Sequence, residues 1–160
     1  MAGEVFRAAE PYLDVFSINN YVFGEGIAET AMQMSGAPDP ADGFAALHAE
    51  IDKPILITEY GFRAADSGLP NTWPFIYPTY GTQQDRADAF AEYVRGAVHS
   101  YPWIVGYHWF EWVDQPPEGR FDGEDNNWGL VTEQDEVYQV VTARMTEVNP
   151  EIWGRLRAPE

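Results

Sequence analysis

Residues 54–61 read Pro-Ile-Leu-Ile-Thr-Glu-Tyr-Gly, an apolar run between a proline and a glycine whose first polar side chains come only near its end. A run of this length without alternation predicts a strand covered on both faces, the habit of parallel sheets. Two further stretches have the same character. Tyr12 to Tyr21 reads Tyr-Leu-Asp-Val-Phe-Ser-Ile-Asn-Asn-Tyr, with apolar residues in both parities. Ile104 to Asp114 reads Ile-Val-Gly-Tyr-His-Trp-Phe-Glu-Trp-Val-Asp and runs into a turn at Pro116-Pro117-Glu118-Gly119.

Helical stripes separate and follow these strands. Phe44, Leu47, His48 and Ile51 have the three-four-seven spacing of one helix face, entered through Pro-Asp-Pro at 38–40. Thr82 with Asp85 forms a capping signal for a second helix, lined by Phe90, Val94, Ala97, Val98 and Tyr101 and stopped by Pro102. Thr132 with Asp135 repeats the signal before Val137, Val140, Val141, Met145 and Val148. Three strand-then-helix units in series predict an α/β fold with a parallel sheet.

The remaining connections, Arg63 to Gly81 and Gln115 to Val131, are too long for plain turns. The first holds Trp73, Phe75, Tyr77 and Tyr80, the second Phe121 and Trp128. Both follow a strand, and in α/β folds ligands sit beyond the carboxyl ends of the strands. The four rings of the first loop suit loop packing and sugar platforms equally well, and both readings stay open.

Composition narrows the partners. Nine basic and 26 acidic side chains among 160 residues leave a net charge of −17, which repels nucleic acid phosphates and anionic lipid. Neither nucleic acid nor a membrane is therefore expected as a partner. The absence of cysteine excludes thiolate chemistry and thiolate-held metals. Met1 to Glu10 carries charge and alanine but no unbroken apolar stretch, the pattern of neither a leader nor an anchor. No glycine-rich phosphate loop follows any strand, which places a flavodoxin-like nucleotide domain last among the alternatives.

Glu59 is the sharpest single residue. A carboxylate ending an Ile-Leu-Ile run is either solvated at the sheet rim or held by donors at a site. Alternation groups Ile55, Ile57 and Glu59 with Val15, Ser17, Asn19 and Tyr21 of the first strand and with Val105, Tyr107, Trp109 and Glu111 of the third. An amide and a phenol can donate to the carboxylate, and an indole offers a flat apolar floor. These are the needs of glycosyl transfer to a carboxylate nucleophile.

Those residues carry a resemblance. Ser-Ile-Asn-Asn-Tyr at 17–21, Ile-Thr-Glu-Tyr-Gly-Phe at 57–62 and His-Trp-Phe-Glu-Trp-Val-Asp-Gln-Pro at 108–116 resemble the sixth, seventh and eighth strands of clan-A retaining glycoside hydrolases. Gly-Arg-Phe-Asp-Gly-Glu-Asp-Asn-Asn-Trp-Gly-Leu-Val at 119–131 is similar to the last loop of their β-agarase and β-galactosidase-like branch. The resemblance implies that residues 1–160 form the C-terminal portion of a TIM (β/α)8 barrel, incomplete on its N-terminal side. It implies Glu59 as nucleophile, oriented by Tyr21 or Asn19, with Trp109 as sugar floor and its peptide to Phe110 as the place of a non-proline cis bond. Trp112, Asp114 and Asn126 are carried over as substrate-binding positions, with His108 a further candidate, and Glu111 is not carried over as a second catalytic carboxylate.

Such a barrel takes about 250 residues, and the acid/base of retaining hydrolysis would come from an Asn-Glu pair that is absent here. The expected partners are accordingly an oligo- or polysaccharide, probed first as a β-galactosidic polymer such as agarose, and the missing N-terminal barrel portion; no cofactor is called for. The isolated chain is expected to be inactive. The rival reading is a non-catalytic α/β carbohydrate-binding or interaction module.

The histidines and a partial metal motif have plainer readings. Asp122, Glu124, Asn126 and Glu133 fall at calcium-loop places, but the sixth place is Asn127 instead of glycine and no helix precedes it, so no metal is expected. His48 reads as a packed core histidine and His99 as a helix-terminal cation. His108, of opposite parity to Trp109, is expected to face the helices.

Overall fold

The computed structural model describes residues 2–22 and 40–152. In chain order these form α1 (Ala2–Ala9), β1 (Phe16–Asn19), α2 (Pro40–Ile51), β2 (Ile55–Tyr60), β3 (Arg63–Ala64), β4 (Thr79–Tyr80), α3 (Gln83–Tyr93), β5 (Ile104–Trp109) and α4 (Gln139–Val148). Strands β1, β2 and β5 form one parallel sheet in sequence order, and β3 pairs with β4 in parallel inside the first long loop. The α/β class with parallel strands is thus present. The Pro38-Asp39 part of the α2 entry lies outside the described residues, as does the side chain of Ala97.

One face of the sheet makes the core. Phe16, Ile55, Ile57, Tyr60 and Ile104 pack with Phe44, Leu47 and Ile51 of α2, Ala87 and Phe90 of α3, and Val141, Met145 and Val148 of α4. Burying an aliphatic side chain of this size stabilises by about 1.5–3 kcal/mol, which fixes which face the helices cover. On the other face Ser17, Leu56 and Gly106 share a row, Ser17 and His108 are exposed, and Val105 is 55% exposed. The expected cover on both faces is therefore corrected: among the described residues only one face is covered.

The grouping of side chains by alternation is corrected as well, because register shifts interrupt all three strands. The β1–β2 ladder slips between Ile18 and Asn19; the β2–β5 ladder slips between Ile55 and Leu56 and again between Ile57 and Tyr60. Beyond the first slip in β5, Tyr107 and Trp109 turn to the helix side with Ile104. Tyr107 donates to Asn149 Oδ1 at 3.0 Å, and the Trp109 ring lies 6.1 Å from Phe90. His108, expected toward the helices, faces outward. In β2 the slip puts Tyr60 in the core after Ile57 and takes Glu59 off the face of Ile55 and Ile57.

The helix termini separate one true cap from one false one. Thr82 and Asp85 form the full reciprocal box at the start of α3. Beyond Tyr93 the helix widens into a π turn over Val94–Val98, and Tyr101 stands outside it, packed on Phe44 and Trp103. The Thr132–Asp135 signal closes a turn instead: Thr132 Oγ1 accepts from the amides of Gln134 and Glu136, both at 3.2 Å, and α4 begins only at Gln139. His48 lies against Trp103 at 4.3 Å, in its expected packing role.

Arg86 of α3 ties this frame to the residue that precedes the first long loop and to the second loop. It is fully buried; its Nε donates to Phe62 O at 2.7 Å and a terminal nitrogen to Gly129 O at 2.8 Å. Its guanidinium lies 5.2 Å from the Trp109 ring and 5.5 Å from the Tyr138 ring. Burial lowers its pKa to about 10 against the opposing pull of Asp114. Arg86→Met leaves two buried carbonyls without donors and is expected to destabilise the fold by about 2–4 kcal/mol. Urea denaturation measures this, and a change below about 1 kcal/mol would contradict the assigned role.

Candidate active site

Glu59, half-buried at the carboxyl end of β2, accepts a hydrogen bond on Oε2 from the Tyr21 hydroxyl at 3.2 Å. Burial raises the Tyr21 pKa far above its ordinary value, and the neighbouring Glu59 charge adds to the effect. The phenol therefore keeps its proton and remains a donor to the carboxylate. Of the two expected orienting residues, Tyr21 makes the contact. Asn19 is exposed and accepts from Thr58 Oγ1 at 2.8 Å instead.

Tyr21 belongs to a wall of three rings. Its centroid lies 4.9 Å from Tyr77 and 5.7 Å from Trp128, and Tyr77 and Trp128 are 5.7 Å apart. Tyr77 comes from the loop after β2 and Trp128 from the loop after β5. Trp128 is held close by lack of space: a Cβ at Gly61 would meet its Cε3 at 3.0 Å and Phe110 O at 2.5 Å.

A buried polar knot joins the two loops and so positions the wall. Arg63 donates to Asn126 Oδ1, to Pro74 O at 3.1 Å and to Tyr77 O at 2.7 Å. Asp125 accepts from the amides of Thr72 at 2.6 Å and Trp73 at 3.3 Å and from the Thr72 hydroxyl. Asn71, in the left-handed region at φ 53°, accepts the Asn127 amide on Oδ1 at 2.8 Å.

A second set of carboxylates lies beside the wall. Gln115 Nε2 donates to Glu111 at 3.1 Å and to Glu124 at 2.6 Å, and Arg120 stands 3.9 Å from each. Burial pushes the Glu111 carboxyl above its ordinary range, opposed by Gln115 and Arg120. Glu124 is near enough to Tyr21 and Tyr77 to raise both hydroxyls further.

Three sequence-derived site residues occupy other places. Trp109 does not floor the site: it packs among Tyr60, Phe62 and Phe90, under Arg86, with Nε1 bonded to Trp128 O at 2.8 Å. The register shift in β5 is the reason, and the non-proline cis bond lies one residue later than expected, between Phe110 and Glu111. Asp114 is buried and accepts from Asn127 Nδ2 at 2.9 Å, Gly129 N at 2.8 Å and Tyr138 OH at 2.5 Å. Asn126 is wholly buried between Arg63, Gln115 and Trp73 O. Both therefore scaffold the loop instead of facing a substrate. Trp112 remains available, 67% exposed, its backbone carbonyl bonded to Leu130 N at 2.8 Å.

Sequence reasoning did not assign Tyr77, Trp128, Arg63 or Gln115 a place in the site. The aromatic content of the two loops was the signal for the first pair; the others carry no local signature. The four aromatics of the first loop divide, with Trp73 48% and Phe75 65% exposed, Tyr77 in the wall, and Tyr80 packed on Phe62. Among the described residues no group of three or more His, Cys, Asp or Glu side chains is arranged to hold a metal ion. No helix among them is long and apolar enough to cross a membrane.

Comparison with known proteins finds relatives among the β-agarases. The chain is 32% identical over 151 residues to β-agarase B of Vibrio sp. (strain JT0107), and 34% identical over 152 residues to β-agarase A of the same organism. Each alignment covers 94% of this chain but only 14% of the relative's length. A solved exo-β-agarase superposes with a TM-score of 0.75 at 34% identity, over 94% of this chain and 18% of the other. No protein-family model matches. Over nearly its whole length the chain is thus homologous to a segment of the β-agarases.

The knot is sensitive to acid at Asp125. Although burial opposes ionisation, the Thr72 hydroxyl and the Thr72 and Trp73 amides hold its carboxyl below the ordinary range. A carboxyl lowered on folding contributes in full above the unfolded value of about 3.9 and loses that contribution as pH falls through the folded value. The Thr72 and Trp73 amides are therefore expected to lose hydrogen-exchange protection below about pH 4. Asp125→Asn should lower their protection already at neutral pH; protection independent of both changes would contradict the assignment.

Proposed function

We propose that this chain supplies the sixth to eighth strand units of a (β/α)8 barrel that hydrolyses β-galactosidic polysaccharide of the agarose type with retention. The carrying observation is Glu59 at a strand's carboxyl end, bonded to the Tyr21 hydroxyl under a wall of rings. Three parallel strands in sequence order, helix-covered on one face only, suit a segment of barrel wall, and the homology to β-agarases supplies the substrate class.

In this mechanism Glu59 attacks the anomeric carbon, forming a carboxylate ester as the glycosidic C–O bond breaks. The departing oxygen takes a proton from an acid/base carried by the remaining part of the barrel. That group, now a carboxylate, deprotonates a water that displaces Glu59 and restores the anomeric configuration. Tyr21 holds the attacking oxygen in line. Half-buried Tyr77, backed by buried Trp128, and exposed Trp112 take over the apolar contacts assigned from sequence to Trp109, and exposed Asn19 offers an amide to a sugar hydroxyl.

The test is a chimera in which this chain replaces the aligned segment of the exo-β-agarase. The chimera is expected to degrade agarose, and a fluoro-sugar inhibitor should label the Glu59 peptide. Glu59→Gln should cost roughly 10⁴-fold or more in kcat. The chain alone should be inactive: turnover of an aryl β-galactoside by the chain alone, abolished by Glu59→Gln, would overturn the need for a partner segment. A folded chimera without label at Glu59 would favour the non-catalytic module.

Tyr21→Phe in the chimera is expected to lower kcat by about a hundredfold with little change in KM, since it loosens the nucleophile and leaves the sugar contacts. A change in KM alone would make Tyr21 a binding residue.

A further inference from the structure

The loop that brings Tyr77 into the wall also projects two rings into solvent. Trp73 and Phe75 are 48% and 65% exposed, with centroids 5.9 Å apart and planes at 54°. Their backbone is tied down from beneath: Asp125 accepts the Thr72 and Trp73 amides, Asn126 Nδ2 donates to Trp73 O at 2.6 Å, and Arg63 donates to Pro74 O at 3.1 Å. Exposed apolar rings oppose folding and solubility, yet here buried polar groups hold them in place. Fixing such rings before a ligand arrives removes the ordering cost that binding would otherwise carry.

We propose that Trp73 and Phe75 form a second carbohydrate site, a stacking platform apart from the Tyr21–Tyr77–Trp128 wall, that holds an uncharged galactan strand and rejects sulfated ones. The galactan assignment rests on the function proposed above. The preference for an uncharged polymer comes from the charge of −17 and from Asp122 and Glu124 in the adjoining loop, which outnumber their shared ion-pair partner Arg120 and repel sulfate esters. The C–H face of a pyranose meets the indole without needing any charged partner.

Affinity electrophoresis of the full chain, in native gels containing soluble agarose or the sulfated galactan carrageenan, tests the platform without requiring turnover. Agarose is expected to retard the wild type and Glu59→Gln equally, and carrageenan neither. The Trp73→Ala, Phe75→Ala double variant should weaken retardation about tenfold, while Trp73→Phe should keep most of it. Phe75→Ser, which touches none of the backbone ties, should weaken it by about threefold and serves if the double variant is unfolded. An unretarded wild type, full retardation of Phe75→Ser and of the folded double variant, or loss of retardation in Glu59→Gln would overturn the platform. Retardation by carrageenan would overturn its selectivity. A labelled, active chimera alongside an unretarded chain refutes the platform and leaves the hydrolase reading intact; the converse pair refutes the hydrolase reading alone.

Discussion

The two long loops carry Tyr77 and Trp128, the rings packed on Tyr21, and they are held together by buried side-chain polar bonds instead of an apolar core. Arg63 reaches across to Asn126, Asp125 to Thr72, and Asn71 to Asn127. A buried charge left without its partners costs about 3–5 kcal/mol, so the loops have few alternative arrangements once the knot forms. Loops of nineteen and seventeen residues, counted from Arg63 to Gly81 and Gln115 to Val131, have much conformational freedom to lose. Apolar contacts alone would let them slide; hydrogen bonds with fixed geometry set the register of one against the other. The ring wall is a consequence of that register.

Glycines enforce the same closeness. A Cβ at Gly129 would fall 2.2 Å from Asp114 N and 2.4 Å from Val131 O, so the second loop doubles back against the residues after β5 only because nothing projects there. Asp114 then accepts the Gly129 amide and the Tyr138 hydroxyl, which anchors the approach to α4. A residue that reads from sequence as a sugar ligand is thereby the post on which the loop turns. Its chemistry, a carboxylate accepting several donors, serves either purpose. Burial decides between them.

The strand-helix order was legible in composition and spacing, because burying Ile55, Ile57, Phe44, Leu47 and Phe90 on one core demands those periods whatever the detail. The contact between Glu59 and Tyr21 was legible too, since polar groups at the end of an apolar run stand out. What alternation missed was Trp109, because period-two reasoning carries over an unbroken ladder and each slip inverts every later residue. Trp109 also satisfies its indole N–H at Trp128 O, a partner nineteen residues away that no local pattern announces. The same holds for Arg86 and Arg63: an arginine is read as surface until the carbonyls that receive it are known.

Those two arginines bear on the surface as well. Nine basic side chains face 26 acidic ones, and Arg63 and Arg86 are both buried. Their charges neutralise carboxylates within the loops, Asp125 for the first and Asp114 for the second, so they do little for a molecule approaching from solvent. With both pairs set aside, what such a molecule meets still carries the whole net charge of −17. A neutral polymer reaches the rings at no electrostatic cost, while an anionic one must work against the field once it comes within a screening length, about 8 Å at physiological salt. Selection between two galactans of like ring shape can therefore be made by the surface before any hydroxyl is read.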